Sequence, residues 1–328
     1  MTDNKPYIDP QVLALLEPMW NSSEADIDWD NLSEEEVIAL RAPAAAETLK
    51  APQLGPDLPR VTDLEANGAF GKTRVRLYDP LNDGKSLPAL IYLHGGGWCG
   101  GSIENRDDGA RLFAARSNMA VLSVDYALAP EHKFPGPLQD VVAVSRWFRD
   151  HGNEFGIDPQ RLAIGGDSSG ANLALAAALD LRNADENFIR NLILFYGVYA
   201  HDHSTASHQS FGCDDRYTLS SAAMDLCWRM YLANPTQDQD PRSAPLLADM
   251  AGLPPAYIMC GSLDPLLDDS LQLYTKMQEA GIDVTRRIHD GVPHGFISFI
   301  DTVDLSRQAW TEAAEYLAHK FHNGSGRT

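Results

Sequence analysis

Apolar residues change their spacing near residue 73, and the change divides the chain into two kinds of pattern. From Thr73 onward, short apolar runs rich in β-branched and aromatic residues alternate with stretches of helical periodicity. Strands that alternate with helices indicate a mostly parallel sheet covered by helices on both faces, so we predict an α/β fold. The predicted strands are TRVRLY, ALIYLH, AVLSVDY, RLAIGG, NLILFYG, AYIMCG and DVTRRIH.

Two segments do not follow this alternation. Residues 1–50 carry apolar residues at helical spacing, broken by acidic and proline-containing stretches, which predicts an appended helical segment. Between the strands NLILFYG and AYIMCG lie about sixty residues, far more than a connection in an α/β unit needs. They predict an insertion, which is polar and irregular at first and then helical in SSAAMDLCWRMYLAN.

The strongest chemical signal is Gly-Asp-Ser-Ser-Gly at 166–170, which follows the predicted strand RLAIG and opens an apolar helix. The segment matches G-x-S-x-G in the strand, turn and helix context of a nucleophilic serine. Such a sharp turn strains the backbone, and side chains at the flanking glycines would clash with the neighbouring strand and helix. A glycine-rich turn can match this pattern by chance, but the context favours Ser168 as a nucleophile.

A second motif, His-Gly-Gly-Gly-Trp at 94–98, follows the predicted strand ALIYL. Because Gly95 and Gly96 lack side chains, their backbone N–H groups can approach a substrate oxygen, and the N–H of Ser169 adds a third donor. A plain glycine turn is the alternative for this motif alone. However, it precedes the serine motif by one βαβ unit, as an oxyanion hole in an α/β-hydrolase fold does.

A nucleophilic serine also needs a base and an acid that orients the base, and in this fold the acid precedes the histidine. Asp264 comes directly after the predicted strand AYIMCG, whereas Asp268 and Asp269 lie a helical turn further on, where they fit first-turn charges or a secondary contact. His294 follows the last predicted strand and can fold back over the strand ends, whereas His289 lies within that strand. We therefore predict Asp264 as the acid and His294 as the base.

The composition disfavours several classes of partner. Acidic residues outnumber basic ones 46 to 26, and the formal net charge of −20 should repel nucleic acid and anionic lipid surfaces. No stretch reaches the ~18 to 20 apolar residues that span a bilayer, and the N-terminus lacks a signal-peptide pattern. The four cysteines form no CxxC pair, as expected in a reducing compartment. We expect no membrane partner and a cytoplasmic location.

One cluster resembles a set of metal ligands. It comprises His201, His203 and His208 together with Asp202, in the irregular first part of the insertion. A solvated loop explains these residues without a metal, since no coordinating context accompanies them. The sequence therefore predicts no metal site.

Five motifs occur in a fixed order over most of the chain: HGGGW at 94–98, DYALAPEHKFP at 125–135, GDSSG at 166–170, GSLDPLLDD at 261–269 and HGF at 294–296. Together they resemble the hormone-sensitive lipase-like branch of the α/β-hydrolases, which includes many bacterial carboxylesterases. Two departures are small. The family usually has alanine where Ser169 stands, which leaves the backbone N–H unchanged, and arginine is common where Ala127 stands.

The resemblance implies an α/β-hydrolase domain at 51–328, which carries an insertion at about 198–235. It also implies that this insertion and the N-terminal helical segment at 1–50 form a cap over the active site. It implies neither a metal nor an organic cofactor. Because members of the family often dimerise, the resemblance also makes a homodimer an expectation. It further implies that three residues support the site structurally. The three supporting residues are Asp125, Tyr126 and Glu131.

The expected activity is hydrolysis of small-molecule carboxylic esters through an acyl-enzyme, with Ser168 as nucleophile, His294 as general base and Asp264 as the orienting acid. An amidase or formamidase is an alternative, because HGGGW also occurs in kynurenine-formamidase-like relatives. A non-catalytic binding protein is a third hypothesis, since the gibberellin receptors are relatives that lack the catalytic histidine. Here His294 is present, which favours an enzyme.

Aromatic residues of the predicted cap suggest a limit on substrate size. We expect Trp98, Phe211 and Trp228 near the acyl pocket, where bulky rings would shorten it. Each methylene gains ~0.8 kcal/mol only while there is room to bury it, which favours short acyl esters of about C2 to C6. The alternative is that these rings form the core of the cap, in which case their truncation lowers stability and leaves the chain-length preference unchanged.

Overall fold

The computed structural model describes residues 6–20, 28–213 and 215–323. The strands are β1 (Arg60–Gly68), β2 (Gly71–Asp79), β3 (Leu87–Leu93), β4 (Ala120–Val124), β5 (Ile157–Asp167), β6 (Ile189–Phe195), β7 (Ala256–Leu263) and β8 (Val284–Pro293). The α-helices are α1 (Pro10–Trp20), α2 (Glu34–Thr48), α3 (Asp107–Ser117), α4 (Gly136–His151), α5 (Ser169–Asn183), α6 (Ala206–Phe211), α7 (Ser221–Tyr231), α8 (Leu267–Glu279) and α9 (Asp304–Asn323).

The strands form one sheet in the order β1-β2-β4-β3-β5-β6-β7-β8. β2 pairs antiparallel with both β1 and β4, and all other neighbouring strands are parallel, so the predicted α/β class is confirmed. The strand order reverses at β3, which lies between β4 and β5. The loops that follow β3 and β5 therefore leave the sheet side by side at its carboxyl edge, where ligands bind in such sheets.

Among the described strands, the edge strand β1 is the one that the apolar pattern does not predict. Its sequence RVTDLEANG has a single fully buried residue, Ala66, and it pairs only with β2. A strand at a sheet edge keeps one side in water and needs few apolar residues, so its sequence carries a weak signal.

Alternate residues of the central strands enter two separate apolar clusters, one on each face of the sheet. On β3, Ala89, Ile91 and Leu93 belong to the first cluster, and Leu90 and Tyr92 belong to the second. Buried residues of α4, α5 and α8 complete the first cluster, whereas those of α1, α3 and α9 complete the second. This alternation is the period-2 pattern that a strand buried on both faces requires.

The two N-terminal helices pack in different places. α1 contributes Val12 and Leu16 to the second cluster, beside α9. α2 contributes Val37 to the first cluster and begins with a capping box between Ser33 and Glu36. Only α2 of these two helices therefore lies on the side of the sheet that carries the insertion helix α7. Among the described residues, no helix is both long and apolar enough to cross a membrane.

Candidate active site

Ser168 occupies a strained turn between β5 and α5. Its backbone angles are φ 54° and ψ −121°, outside the regions that residues with a side chain normally adopt. A Cβ atom on Gly166 or Gly170 would lie 2.2 Å or 2.0 Å from the carbonyl oxygen of Leu93 on the neighbouring strand. The two flanking glycines therefore let β3 and α5 approach closely enough to hold the serine at the carboxyl edge of the sheet.

His294 lies between Ser168 and Asp264. Its Nε2 is 3.0 Å from Ser168 Oγ, and its Nδ1 is 2.9 Å from Asp264 Oδ2. Asp264 is fully buried, and its Oδ1 accepts a hydrogen bond from the Leu266 N–H at 2.8 Å. The carboxylate is thus fixed at one oxygen and contacts the imidazole with the other, which leaves Nε2 facing the serine hydroxyl.

The competing carboxylates bind backbone groups of the insertion instead. Asp269 accepts the N–H groups of Tyr199 and Ala200 at 2.6 and 3.1 Å, and Asp268 accepts the N–H of Ser207 at 2.9 Å. Burial raises the pKa of Asp269 to about 7, although the two N–H donors oppose this shift. These aspartates therefore anchor the start of the insertion, and neither of them contacts His294.

The glycine loop after β3 differs in one respect from the prediction. The N–H of Gly95 donates to Asp167 Oδ1 at 3.0 Å, so this donor already has an acceptor. Within the described residues, the N–H groups of Gly96 and Gly97 have no acceptor, and Ser169 begins α5, where the first N–H groups have no intrahelical acceptor. The Gly95 N–H is therefore already engaged in positioning the loop, which contradicts its predicted role as an oxyanion donor and leaves the N–H groups of Gly96, Gly97 and Ser169 as the candidate donors.

A buried ion pair holds this loop against the serine turn. Asp167 binds Arg106 through several hydrogen bonds, the shortest at 2.7 Å, and accepts a further hydrogen bond from Tyr92 Oη at 2.8 Å. Burial by itself would raise the pKa of Asp167, but the charge and hydrogen bonds of Arg106 outweigh it, and the pKa is lowered. The carboxylate that orients Gly95 is therefore ionised and fully paired. The sequence signals Asp167 through the serine motif but gives no signal for Arg106.

Arg106→Met is expected to lower the free energy of unfolding by about 3 to 5 kcal/mol, because it leaves the Asp167 charge buried without its partner. Urea unfolding at pH 7 measures this loss. Arg161→Met is the matched control, because the Arg161 pair with Asp158 is more exposed and contributes about 0 to 1 kcal/mol. Equal losses in the two variants would contradict the assigned role of Arg106.

The three residues expected to support the site lie around the glycine loop. Tyr126 Oη donates to the carbonyl of His94 at 2.7 Å, and the two rings stack with centroids 4.5 Å apart. Asp125 lies 3.9 Å from His94 Nε2 and pairs with Arg74 at 3.1 Å. Burial lowers the pKa of His94, which favours a neutral ring beneath the loop.

Two residues that the sequence analysis does not single out also contact the site. Arg41 of α2 pairs with Glu131, the third supporting residue, at 2.6 Å and donates to the carbonyl of Cys99 at 2.5 Å, so α2 is tied to the glycine loop. In the insertion, Thr218 Oγ1 donates to the carbonyl of His294 at 2.7 Å. An arginine in a helix and a threonine in an irregular loop carry no motif, which is why sequence patterns could not identify them.

The prediction that Trp98 and Trp228 line the substrate pocket is wrong for this structure. Trp98 has no exposed surface and stacks on Tyr231 with centroids 4.3 Å apart, and Trp228 is 1% exposed beside both rings. These rings join the glycine loop to α7, as the core alternative expected. Phe211 is half-buried against Tyr217, and its place in the pocket stays a prediction.

A cavity of about 300 Å³ opens at Gly96. Its wall is mostly apolar and comes from two helices, α2 and α7, with the glycine loop as its floor. Trp29, which precedes α2, also contributes. Lining residues include Val37, Leu40, Ala44 and Ala45 of α2, Leu226 and Cys227 of α7, and Gly96 and Cys99 of the loop.

Comparison with known proteins gives a consistent result. The model of the alpha/beta hydrolase fold family matches residues 90–298. The chain is 35% identical over 272 residues to the carboxylic ester hydrolase LipN of Mycobacterium tuberculosis, covering 81% of this chain and 71% of that protein. It is 32% identical to the esterase LipI of the same organism over 94% of this chain and 93% of that protein.

Solved structures of esterases have the same fold. An ester-hydrolase from the metagenome of Lake Arreo, bound to a bipyridine phosphonate derivative, superposes with a TM-score of 0.89 at 34% identity, covering 97% of this chain and all of the other. A hyperthermophilic esterase from Pyrobaculum calidifontis superposes with a TM-score of 0.84 at 30% identity, covering 95% of this chain and 98% of the other. The chain therefore belongs to the α/β-hydrolase family, in its hormone-sensitive lipase-like branch. Within that family it is a carboxylic ester hydrolase.

Proposed function

We propose that the chain hydrolyses short-chain carboxylic esters through an acyl-enzyme formed on Ser168, with His294 as general base and Asp264 as the orienting acid. The observation that carries this proposal is the pair of contacts at one imidazole, with Ser168 Oγ 3.0 Å from one nitrogen and the buried Asp264 2.9 Å from the other. A base so placed can take the serine proton while the carboxylate stabilises the imidazolium that forms.

In the first half-reaction, Ser168 Oγ attacks the ester carbonyl carbon and its proton moves to His294 Nε2. The carbonyl oxygen becomes an oxyanion, which we assign to the N–H groups of Gly96, Gly97 and Ser169. These donors are fixed in the backbone before substrate arrives, so they stabilise the developing charge without reorganising. His294 then gives the proton to the leaving alcohol as the carbon–oxygen bond breaks.

The second half-reaction reverses these roles with water. His294 takes a proton from a water molecule, and the hydroxide attacks the acyl carbon. The oxyanion forms again, and the proton passes to Ser168 Oγ as the acyl–oxygen bond breaks. Thr218 supports both halves, because its hydrogen bond to the His294 carbonyl holds the loop that carries the base.

We assign the cap to α2 and the insertion at about 198–235, which together enclose the cavity at Gly96. α1 differs from α2, because it packs beside α9 on the other cluster. The C-terminal end of α1 still contacts the insertion, where Trp20 Nε1 donates to the carbonyl of Arg216 at 3.0 Å, so α1 supports both the cap and the hydrolase domain at 51–328. Arg41 of α2 contacts the glycine loop next to the proposed oxyanion donors, which ties this part of the cap to the proposed site.

The size of the cavity supports a short acyl chain. An acyl chain that enters this cavity of about 300 Å³ gains ~0.8 kcal/mol for each methylene that it buries, until the space between the two helices and the loop is filled. Beyond that length, further methylenes gain nothing or force the helices apart. We therefore expect the rate to be highest for acyl chains of about C2 to C6.

Ala45→Phe is expected to lower kcat/KM for a C6 p-nitrophenyl ester relative to the C2 ester by about tenfold, because the ring fills part of the cavity. The measurement is kcat/KM over acyl chains of two to twelve carbons, with matched anilides in the same assay to compare ester and amide cleavage.

Ala46→Phe is the matched control, because Ala46 is an exposed neighbour on the same helix that does not line the cavity. The control should keep the chain-length profile of the wild type. A wild-type optimum at C10 or longer, or the same profile in both variants, would remove this cavity as the acyl pocket. Faster cleavage of the anilides would contradict ester hydrolysis as the main activity.

A further inference from the structure

Three side chains with metal-binding atoms converge in the cap. His201 and His203 lie in the loop after β6, and Asp225 lies on α7. Asp225 Oδ1 is 3.2 Å from His201 Nε2 and 3.5 Å from His203 Nδ1, and all three ligand atoms lie within 4.8 Å of one another. Bonds of about 2.0 to 2.1 Å in a tetrahedral zinc site put neighbouring ligand atoms roughly 3.4 Å apart. The two shorter separations already match that spacing.

The rings are held in the orientation that metal binding needs. His201 Nδ1 lies 3.4 Å from Asp238 Oδ2, so a second carboxylate faces the nitrogen that points away from the cluster. Such a partner favours the tautomer in which Nε2 carries the free lone pair. The His201 ring also stacks on Trp228 at 5.0 Å, and the His203 ring stacks on His208 at 4.5 Å. These contacts prearrange both imidazoles before an ion binds.

We propose that His201, His203 and Asp225 form a binding site for a divalent transition-metal ion, with Zn²⁺ as the preferred ion and water as the fourth ligand. Two imidazoles and one carboxylate suit zinc rather than magnesium or calcium, which select oxygen ligands. Asp225 is half exposed, which leaves one side of the site open to water.

This ligand set differs from the cluster in the sequence. His208 instead contacts Ser221 Oγ at 3.2 Å, and Asp202 accepts the N–H of Ser204. The third ligand comes from a helix 22 residues beyond His203, a distance along the chain at which no local spacing could identify it. The sequence analysis predicts no metal site because the nearby sequence contains no residue that identifies Asp225 as a third ligand.

A bound ion would link the loop after β6 to α7. The residues that follow Asp225 connect this helix to the proposed active site, because Leu226 and Cys227 line the cavity at Gly96 and Trp228 packs against Trp98. The ion would therefore stabilise the cap, and it takes no part in ester cleavage. Two ion pairs between histidine and aspartate would give similar distances without a metal, and measured Zn²⁺ binding separates the two explanations.

The test uses the full chain without an affinity tag, freed of metal by a chelator and then dialysed. Titration with ZnCl₂ in a calorimeter should give one equivalent bound, and saturating Zn²⁺ should raise Tm by about 2 °C or more, whereas MgCl₂ should not. Asp225→Asn and His203→Gln should each weaken Zn²⁺ binding at least about tenfold and remove the shift in Tm. Both positions are partly exposed, and circular dichroism checks that the variants fold.

Glu154→Gln is the matched control, because His151 and Glu154 form a surface pair at 2.9 Å that no third metal-binding group joins in the part of the chain that the structure describes. This control should bind Zn²⁺ like the wild type. The absence of Zn²⁺ binding, or equal binding in Asp225→Asn and the wild type, would overturn the proposed site. Titration of Ser168→Ala keeps this question separate from catalysis, because that variant should bind Zn²⁺ unchanged whether or not Ser168 is the nucleophile.

Discussion

Replacing Ser168 with alanine should lower kcat/KM for p-nitrophenyl butyrate by about 10⁵-fold while the protein stays folded. The substitution removes the one oxygen that His294 contacts at 3.0 Å, so no acyl-enzyme can form. Residual hydrolysis would come from the oxyanion donors alone. Steady-state kinetics measures the loss, and thermal unfolding verifies that the variant is folded.

Ser169→Ala is the control for this prediction. Only the backbone N–H of Ser169 has a proposed role, and alanine keeps that donor, so activity should stay within a few fold of the wild type. Near-native activity in Ser168→Ala, or losses of the same size in both variants, would contradict the assignment of the nucleophile.

Replacing Asp264 with asparagine should lower kcat by about 10⁴-fold. The Leu266 N–H donates to Asp264 Oδ1, and this contact would hold the asparagine oxygen in the same place. The asparagine NH₂ would then face His294 Nδ1 and force that nitrogen to accept. The proton would move to Nε2, where it blocks the general base. Steady-state kinetics at pH 7 measures the loss.

Asp268→Asn provides the comparison, because Asp268 binds the backbone N–H of Ser207 and has no contact with His294. Its activity should stay within a few fold of the wild type. If Asp268→Asn lost as much activity as Asp264→Asn, the orienting acid would have to be reassigned.

The sequence could predict the nucleophile, the acid and the base of the proposed triad because each of them follows the end of a predicted strand. In a parallel sheet these ends share one edge, so the order of strands and motifs along the chain is enough to bring Ser168, Asp264 and His294 together. The same reasoning identified the glycine loop. It could not assign each glycine, because the acceptor of the Gly95 N–H is a side chain, Asp167, from another strand.

Packing in the cap depends on three-dimensional contacts that no periodicity encodes. Trp98 follows three glycines at the strand ends, which favours a place in the pocket, but its indole stacks on Tyr231 in the core. Arg106 and Asp225 lie far along the chain from Asp167 and His203, the residues they approach. Such pairs become visible only once the fold has brought their elements together.

The most direct test of the proposed nucleophile is covalent labelling of the wild-type enzyme with an organophosphate, followed by peptide mass spectrometry. A phosphorus ester should form on Ser168 in proportion to the activity lost, with one label per chain at full inactivation. Ser168→Ala should take up no label under the same conditions. Full inactivation with the label on any other serine would contradict the central claim that Ser168 is the nucleophile.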